Sequence, residues 1–208
     1  MYLIKLFLCF PIFFVMACSA AYKEIKEIDV NNPKTFHEHL VYNYQQNASF
    51  EAEKMHDWNS VKLYSEKALR ALKGENVYPE KITYWKISQD KITDIKSGYD
   101  NLISIYEEAL IKDPVNLAKA ISSLDCWAEQ EEEKWQTWDI EKCMNNFHKS
   151  MHNIYNNISK ENKNENNKKE TLTKKENKNT VAIVSKKKKK ELIQIIYFDF
   201  DNSLLSEV

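Results

Sequence analysis

The sequence predicts a mainly α-helical protein: a bundle or hairpin array of about five helices, then a disordered basic linker and one orphan β-strand. Three observations predict it. Only two glycines and four prolines occur in 208 residues, too few for a sandwich or barrel, which needs turn residues every 8 to 12 positions or so. Apolar residues recur at near i+4 spacing from Phe36 to Ile154, as one-sided helices require. Start and stop signals punctuate the same stretch: Thr35 with Glu38, Asp57, Gly74, and Asp113 before Pro114.

Thr35-Phe36-His37-Glu38 has the capping-box pattern and opens the first helix. Phe36, Leu40, Tyr44, Ala48, Ala52 and Met55 form its apolar face. Asp57-Trp58-Asn59-Ser60 breaks that helix and recaps a second, which turns Val61, Tyr64, Ala68, Leu69 and Leu72 inward and stops at Gly74. A connection so short makes the pair antiparallel. Residues 75–89, with Pro79, form a loop laid over the helices by the aromatics Tyr84 and Trp85. The third helix, from about Asp90 to Lys112, buries Ile95, Tyr99, Leu102, Ile103, Tyr106, Ala109 and Leu110. Asp113-Pro114 restarts the chain as cap and first helical residue. The fourth helix, to about Lys134, buries Leu117, Ala120, Ile121, Leu124 and Trp127; after Gln136-Thr137 the fifth carries Trp138, Ile140, Cys143, Phe147, Met151 and Ile154. Trp58 to Leu72 hints at tetratricopeptide-like packing, although no 34-residue period recurs.

Residues 1–18 read as a lipoprotein signal. Lys5 precedes an apolar run, Leu6 to Val15, too short to span a bilayer, which takes about 20 residues, and suited to a secretory signal. Val15-Met16-Ala17-Cys18 then resembles a lipobox. The resemblance implies acylation of the Cys18 thiol, cleavage before it and attachment to outer-membrane lipid. Ser19, in place of Asp, resembles the residue that lets lipoproteins move on to the outer membrane. Simple cleavage near Ala20 and an uncleaved anchor are the alternatives. Residues 19–34 read as a short tether, and 35–158 as a helical periplasmic domain.

Export would remove Cys9 and leave Cys126 and Cys143 in an oxidising compartment, where a disulfide is favoured over two free thiols. Cys126 lies about ten residues before the turn and Cys143 about six after it. At about 1.5 Å of rise per residue, both reach similar heights on neighbouring helices.

No enzyme chemistry is legible, and no cofactor or metal is implied. His148 and His152 stand four apart, but no third ligand is tied to them, so they read as a polar helix face; His37 and His39 point to different faces. Glu129 to Glu133 reads as a solvated face. With two glycines, no phosphate loop or dinucleotide fingerprint fits.

The net charge of −1 hides an asymmetry: Lys160 to Lys190 carries twelve Lys against four Glu, leaving about −9 elsewhere. Residues 159–190 are too polar to fold and read as a flexible tether, either a plain spacer or one lying on anionic wall or lipid. Behind a secretion signal, Lys186 to Lys190 is not a nucleic-acid patch. Residues 191–208 open with a strand signal, Leu192 to Asp201.

Tyr197-Phe198-Asp199-Phe200-Asp201, with Ser203 and Leu205, resembles the opening strand of the OmpA-like domain, which grips peptidoglycan in Gram-negative outer-membrane proteins. The same letters resemble the first motif of haloacid-dehalogenase-type phosphatases, in which Asp199 would be the nucleophile and Asp201 the acid. The lipobox, helical domain and charged linker favour the first. Phe50 to Trp58 and Leu124-Asp125-Cys126-Trp127 through Cys143 resemble the helical region of alphaproteobacterial OmpA-family lipoproteins, both cysteine positions included. The resemblance implies a non-catalytic tether between outer membrane and peptidoglycan. The family's wall-binding Asp and Arg lie beyond the first strand and have no counterpart here, so the OmpA-like domain reads as truncated. The alternative is a helical module that binds a periplasmic protein partner.

Overall fold

The computed structural model describes residues 20–176, with side chains through Lys160. Six helices account for most of it: α1 (20–26), α2 (Phe36–Phe50), α3 (Trp58–Leu72), α4 (Gln89–Lys112), α5 (Pro114–Glu133) and α6 (Thr137–Glu176). A π-helical turn, Glu51–Met55, prolongs α2, and a 3₁₀ turn, Ile82–Tyr84, interrupts the connection from α3 to α4. No strand occurs among the described residues. The chain divides into two units, Met1–Asn167 and Lys168–Val208, and the core lies in the first.

The helix ends follow local chemistry. Thr35 Oγ1 accepts from Glu38 N at 3.2 Å while Glu38 Oε2 accepts from Thr35 N at 3.1 Å, completing the capping box. Asp57 caps α3 through Asn59 N, and Asp113 caps α5 ahead of Pro114. α3 ends in a Schellman motif: Gly74 N donates to Ala71 O at 2.9 Å and Glu75 N to Arg70 O at 3.1 Å. Gly74 sits at φ +78°, where a side chain would be strained. His56 and Lys134 occupy the same left-handed region at the ends of the π turn and α5.

α2 packs against α3 and α5, and α4 packs against α5. α6 runs antiparallel to α5, because Cys126 meets Cys143, Asn116 meets Asn153 and Asp113 meets Asn157. Leu40, Tyr44, Tyr64, Leu102, Leu117 and Ile121 lie at the centre of the core. Gly98 lets α4 approach α6 closely: a Cβ there would stand 2.9 Å from the buried Phe147 ring.

Six expectations are corrected. Leu72, Ile103 and Trp138 face outward, at 51 %, 37 % and 65 % exposure, because each lies at a helix end or stripe edge that no neighbour covers. Residues 19–34 are not a bare tether: Ile25 is fully buried, and Gln45 Nε2 donates to the Ile25 and Ile28 carbonyls. The segment is held because its apolar residues cover the flank of α2. The loop 75–89 is laid on the helices as expected, but by Val77 and Trp85, while Tyr84 stays exposed. Finally, α6 continues to Glu176, so the expected disordered linker is helical from 159 to 176. No glycine or proline interrupts that stretch, and elongating an existing helix avoids the cost of nucleation. Residues 177–190, the strand at 191–208 and the signal at 1–18 lie outside the described residues.

Gly98→Ala should destabilise the fold. The gain in helix propensity, about 1 kcal/mol, is outweighed by displacement of Phe147, which costs about 1–3 kcal/mol in a close-packed core. A lowered urea midpoint with an unchanged slope is the expected result.

Candidate functional site

Of the three site residues read from the sequence, Cys18 lies outside the described residues, and the other two meet. Cys126 on α5 and Cys143 on α6 are joined by a disulfide with α carbons 5.6 Å apart, within the usual range for such bonds. Closing 17 residues stabilises the fold by about 3 kcal/mol on the chain-entropy model.

Asp125, the residue before Cys126, belongs to a buried ionic hub. Lys67 of α3, 2 % exposed, places Nζ 2.6 Å from Asp125 Oδ2, 2.9 Å from the Tyr78 carbonyl and 3.0 Å from Glu80 Oε1. All three of its protons are directed at acceptors. Asp125, 1 % exposed, also accepts from Tyr44 Oη and from Glu80 N, each at 2.7 Å. Burial pushes the Asp125 carboxyl upward, against the pull of Lys67. With Lys67 set among three acceptors and both Asp125 oxygens engaged, the hub holds structure together.

A second carboxylate group, one turn further along α5, is the opposite case. Glu129 and Glu133 of α5 meet Glu51 of the π turn, each offering an oxygen within 4.8 Å of the others. Glu51 and Glu129 are both 2 % exposed, and Glu133 is half-buried. Gln130 Nε2 donates to Glu129 Oε2 at 2.7 Å and weakly to Glu51 Oε1 at 3.3 Å; Ser60 Oγ donates to Glu129 Oε1 at 3.1 Å. Glu51 Oε2 and Glu133 Oε2 have no donor, and among the described residues no Lys or Arg forms an ion pair with any of the three. Burial, and then the neighbouring Glu129, pushes Glu51 up to about 9. Burial and then Glu133 push Glu129 up to about 8. A groove of about 530 Å³, edged by Tyr84, Trp85 and Asp57, opens onto Glu129 and Glu133.

The solvated face expected for Glu129 to Glu133 is therefore corrected: Glu129, Gln130 and Glu131 are buried. The signal was present, since Asp125, Glu129 and Glu133 continue the i+4 row of Leu117 and Ile121 that faces the core. The histidines gather no ligand set. His148 is exposed, its ring 5.5 Å from that of Trp127, with partial desolvation lowering its pKa, and His152 Nε2 contacts Asn156. Lys67, by contrast, sat unremarked on the second helix, and nothing in the local sequence marks it as buried.

No family model, no curated protein and no solved structure matches this chain.

Two outcomes follow. Asp125→Ala should destabilise the fold by about 3–5 kcal/mol, because it strands a buried ammonium; equilibrium urea unfolding measures it. For the carboxylates the folded pKa values exceed the ordinary 4.5, so the folded state holds protons that the unfolded chain has released. Without added cations, stability should therefore fall as pH rises from about 5 to 9, by up to about 1 kcal/mol per unit for each group. The double variant Glu51→Gln/Glu129→Gln should flatten that slope in melts recorded across the range.

Proposed function

We propose that this chain is an OmpA-type envelope lipoprotein, anchored in the outer membrane through acylated Cys18, with its helical domain in the periplasm and no catalytic role. The observation that carries the reading is the Cys126–Cys143 bond, which belongs to an oxidising compartment. A lipobox at Cys18 delivers the chain to such a compartment. No helix among the described residues is long and apolar enough to cross a membrane, which is compatible with a lipid anchor.

The segment following Cys18 adds support. The Tyr22 ring stands 6.4 Å from Trp58, and Lys26 pairs with Glu53 at 3.2 Å, so the chain leaving the anchor is held against one end of the bundle. Trp58 is half-exposed there, and Trp135, in the α5–α6 turn, is 81 % exposed. Indole rings settle readily at the bilayer interface. The grip on peptidoglycan belongs to the domain whose opening strand Tyr197 to Leu205 resembles. A second reading, in which the helical domain binds a periplasmic protein, is favoured by the groove beside Tyr84 and Trp85.

Intact mass of the membrane-extracted protein should show a chain beginning at acylated Cys18, with Cys126 and Cys143 resistant to alkylation until reduced. Cys18→Ala should move the protein to the soluble fraction. A mass matching the uncleaved, unmodified polypeptide would falsify the proposal. Binding of the 208-residue chain to purified peptidoglycan through its helices would transfer the wall-binding role from the OmpA-like strand to the helical domain.

A further inference from the structure

We infer that Glu51, Glu129 and Glu133 form a binding site for a hard divalent cation, calcium in preference to magnesium, wedged between the π turn after α2 and the end of α5. This goes beyond the envelope reading and does not depend on it.

The first argument is geometric. Three carboxylate oxygens lie within 4.8 Å of one another, and ligands on opposite sides of a calcium ion, each at about 2.4 Å, stand that far apart. One ion can therefore touch all three. The second concerns unpartnered atoms. Glu51 is 98 % buried, yet Oε2 accepts no hydrogen bond; Glu133 Oε2 is likewise shut from water without a donor. Tyr64, 1 % exposed, stands one turn along α3 from Ser60, the residue that touches Glu129, and its hydroxyl also has no partner. Buried carboxylate oxygens are almost always satisfied, so two orphaned oxygens on converging side chains point to a missing electropositive partner. The hub one turn away shows what this fold does when the partner is a lysine: both Asp125 oxygens there are engaged.

The chemical class follows from the donors. All are oxygens, with no His or Cys among them, which selects a hard ion over zinc or copper. Calcium fits better than magnesium because it tolerates irregular geometry and gives up water readily, whereas magnesium retains several waters. The groove of about 530 Å³ onto Glu129 and Glu133 supplies an entry path and space for the waters that complete the shell. Asp57 adds charge from the α3 cap, where its Oδ2 stands 3.1 Å from Ser60 Oγ. An ion there would tie the π turn, α3 and α5 together at the end of the bundle that carries Trp58.

The test is calorimetric titration of the full, oxidised chain, stripped with chelator, with calcium chloride alone, beside thermal melts. Calcium is expected to bind with a dissociation constant of about 0.1–1 mM, the range of extracellular modules, and to raise the melting temperature by several degrees. Glu129→Gln and Glu51→Gln, isosteric with the protonated side chains, should fold normally and bind about tenfold or more weakly. Should either fail to fold by circular dichroism, Glu133→Gln, at the half-buried rim, gives the same comparison. Absence of heat and of any thermal shift up to about 10 mM calcium overturns the inference. An unchanged response in folded variants overturns it equally, since the ion then binds elsewhere. A response to magnesium but not calcium overturns the choice of ion.

Discussion

Three helices and a loop of the bundle meet at one buried ammonium. Lys67 lies at 2 % exposure, where an unpaired charge would cost several kcal/mol, so its three protons must find acceptors wherever the chain goes. They find Asp125 on α5, and Tyr78 and Glu80 in the loop after α3. Asp125 in turn collects Tyr44 from α2. The relative placement of α2, α3, α5 and the 75–89 loop is thereby constrained at one point, in a way that apolar packing alone, which tolerates repacking, would not impose.

The acidic group around Glu129 stands out by comparison with this hub. Both use α5 residues of the same i+4 row, both bury carboxylates, and both face α2 and α3. One has a lysine among its carboxylates and a hydrogen bond to each Asp125 oxygen. The other gathers three carboxyls with an amide and a hydroxyl, leaving two oxygens without donors. Low dielectric amplifies that imbalance, so the group must hold either protons or a cation. In both states it sits where α2 gives way to a π turn, an irregularity often found at functional positions.

The disulfide leaves α5 at the next residue, so that α5 is held by the ionic hub at Asp125 and by a covalent link to α6 at Cys126.

Much of this was legible one residue at a time. Thr35 with Glu38, Asp57, Gly74 and Asp113-Pro114 placed the helix boundaries to within a residue or so, because caps and stops are settled by atoms within one turn of the backbone. The pairing of Cys126 with Cys143 was accessible for a related reason: a short turn makes the two helices antiparallel and sets their heights. Burial of polar groups was not accessible in the same way. Glu129 lies on the inward row of α5, but Glu is ordinarily exposed, and only the arrival of Glu51 and Ser60 from elsewhere in the chain enclosed it. Lys67 is more extreme, since whether it ends in water or on Asp125 depends on where a helix 58 residues away happens to pack. Continuation of α6 to Glu176 belongs to the same class, because a lone Lys/Asn/Glu-rich segment cannot begin a helix, while one attached to a packed helix has only to extend it.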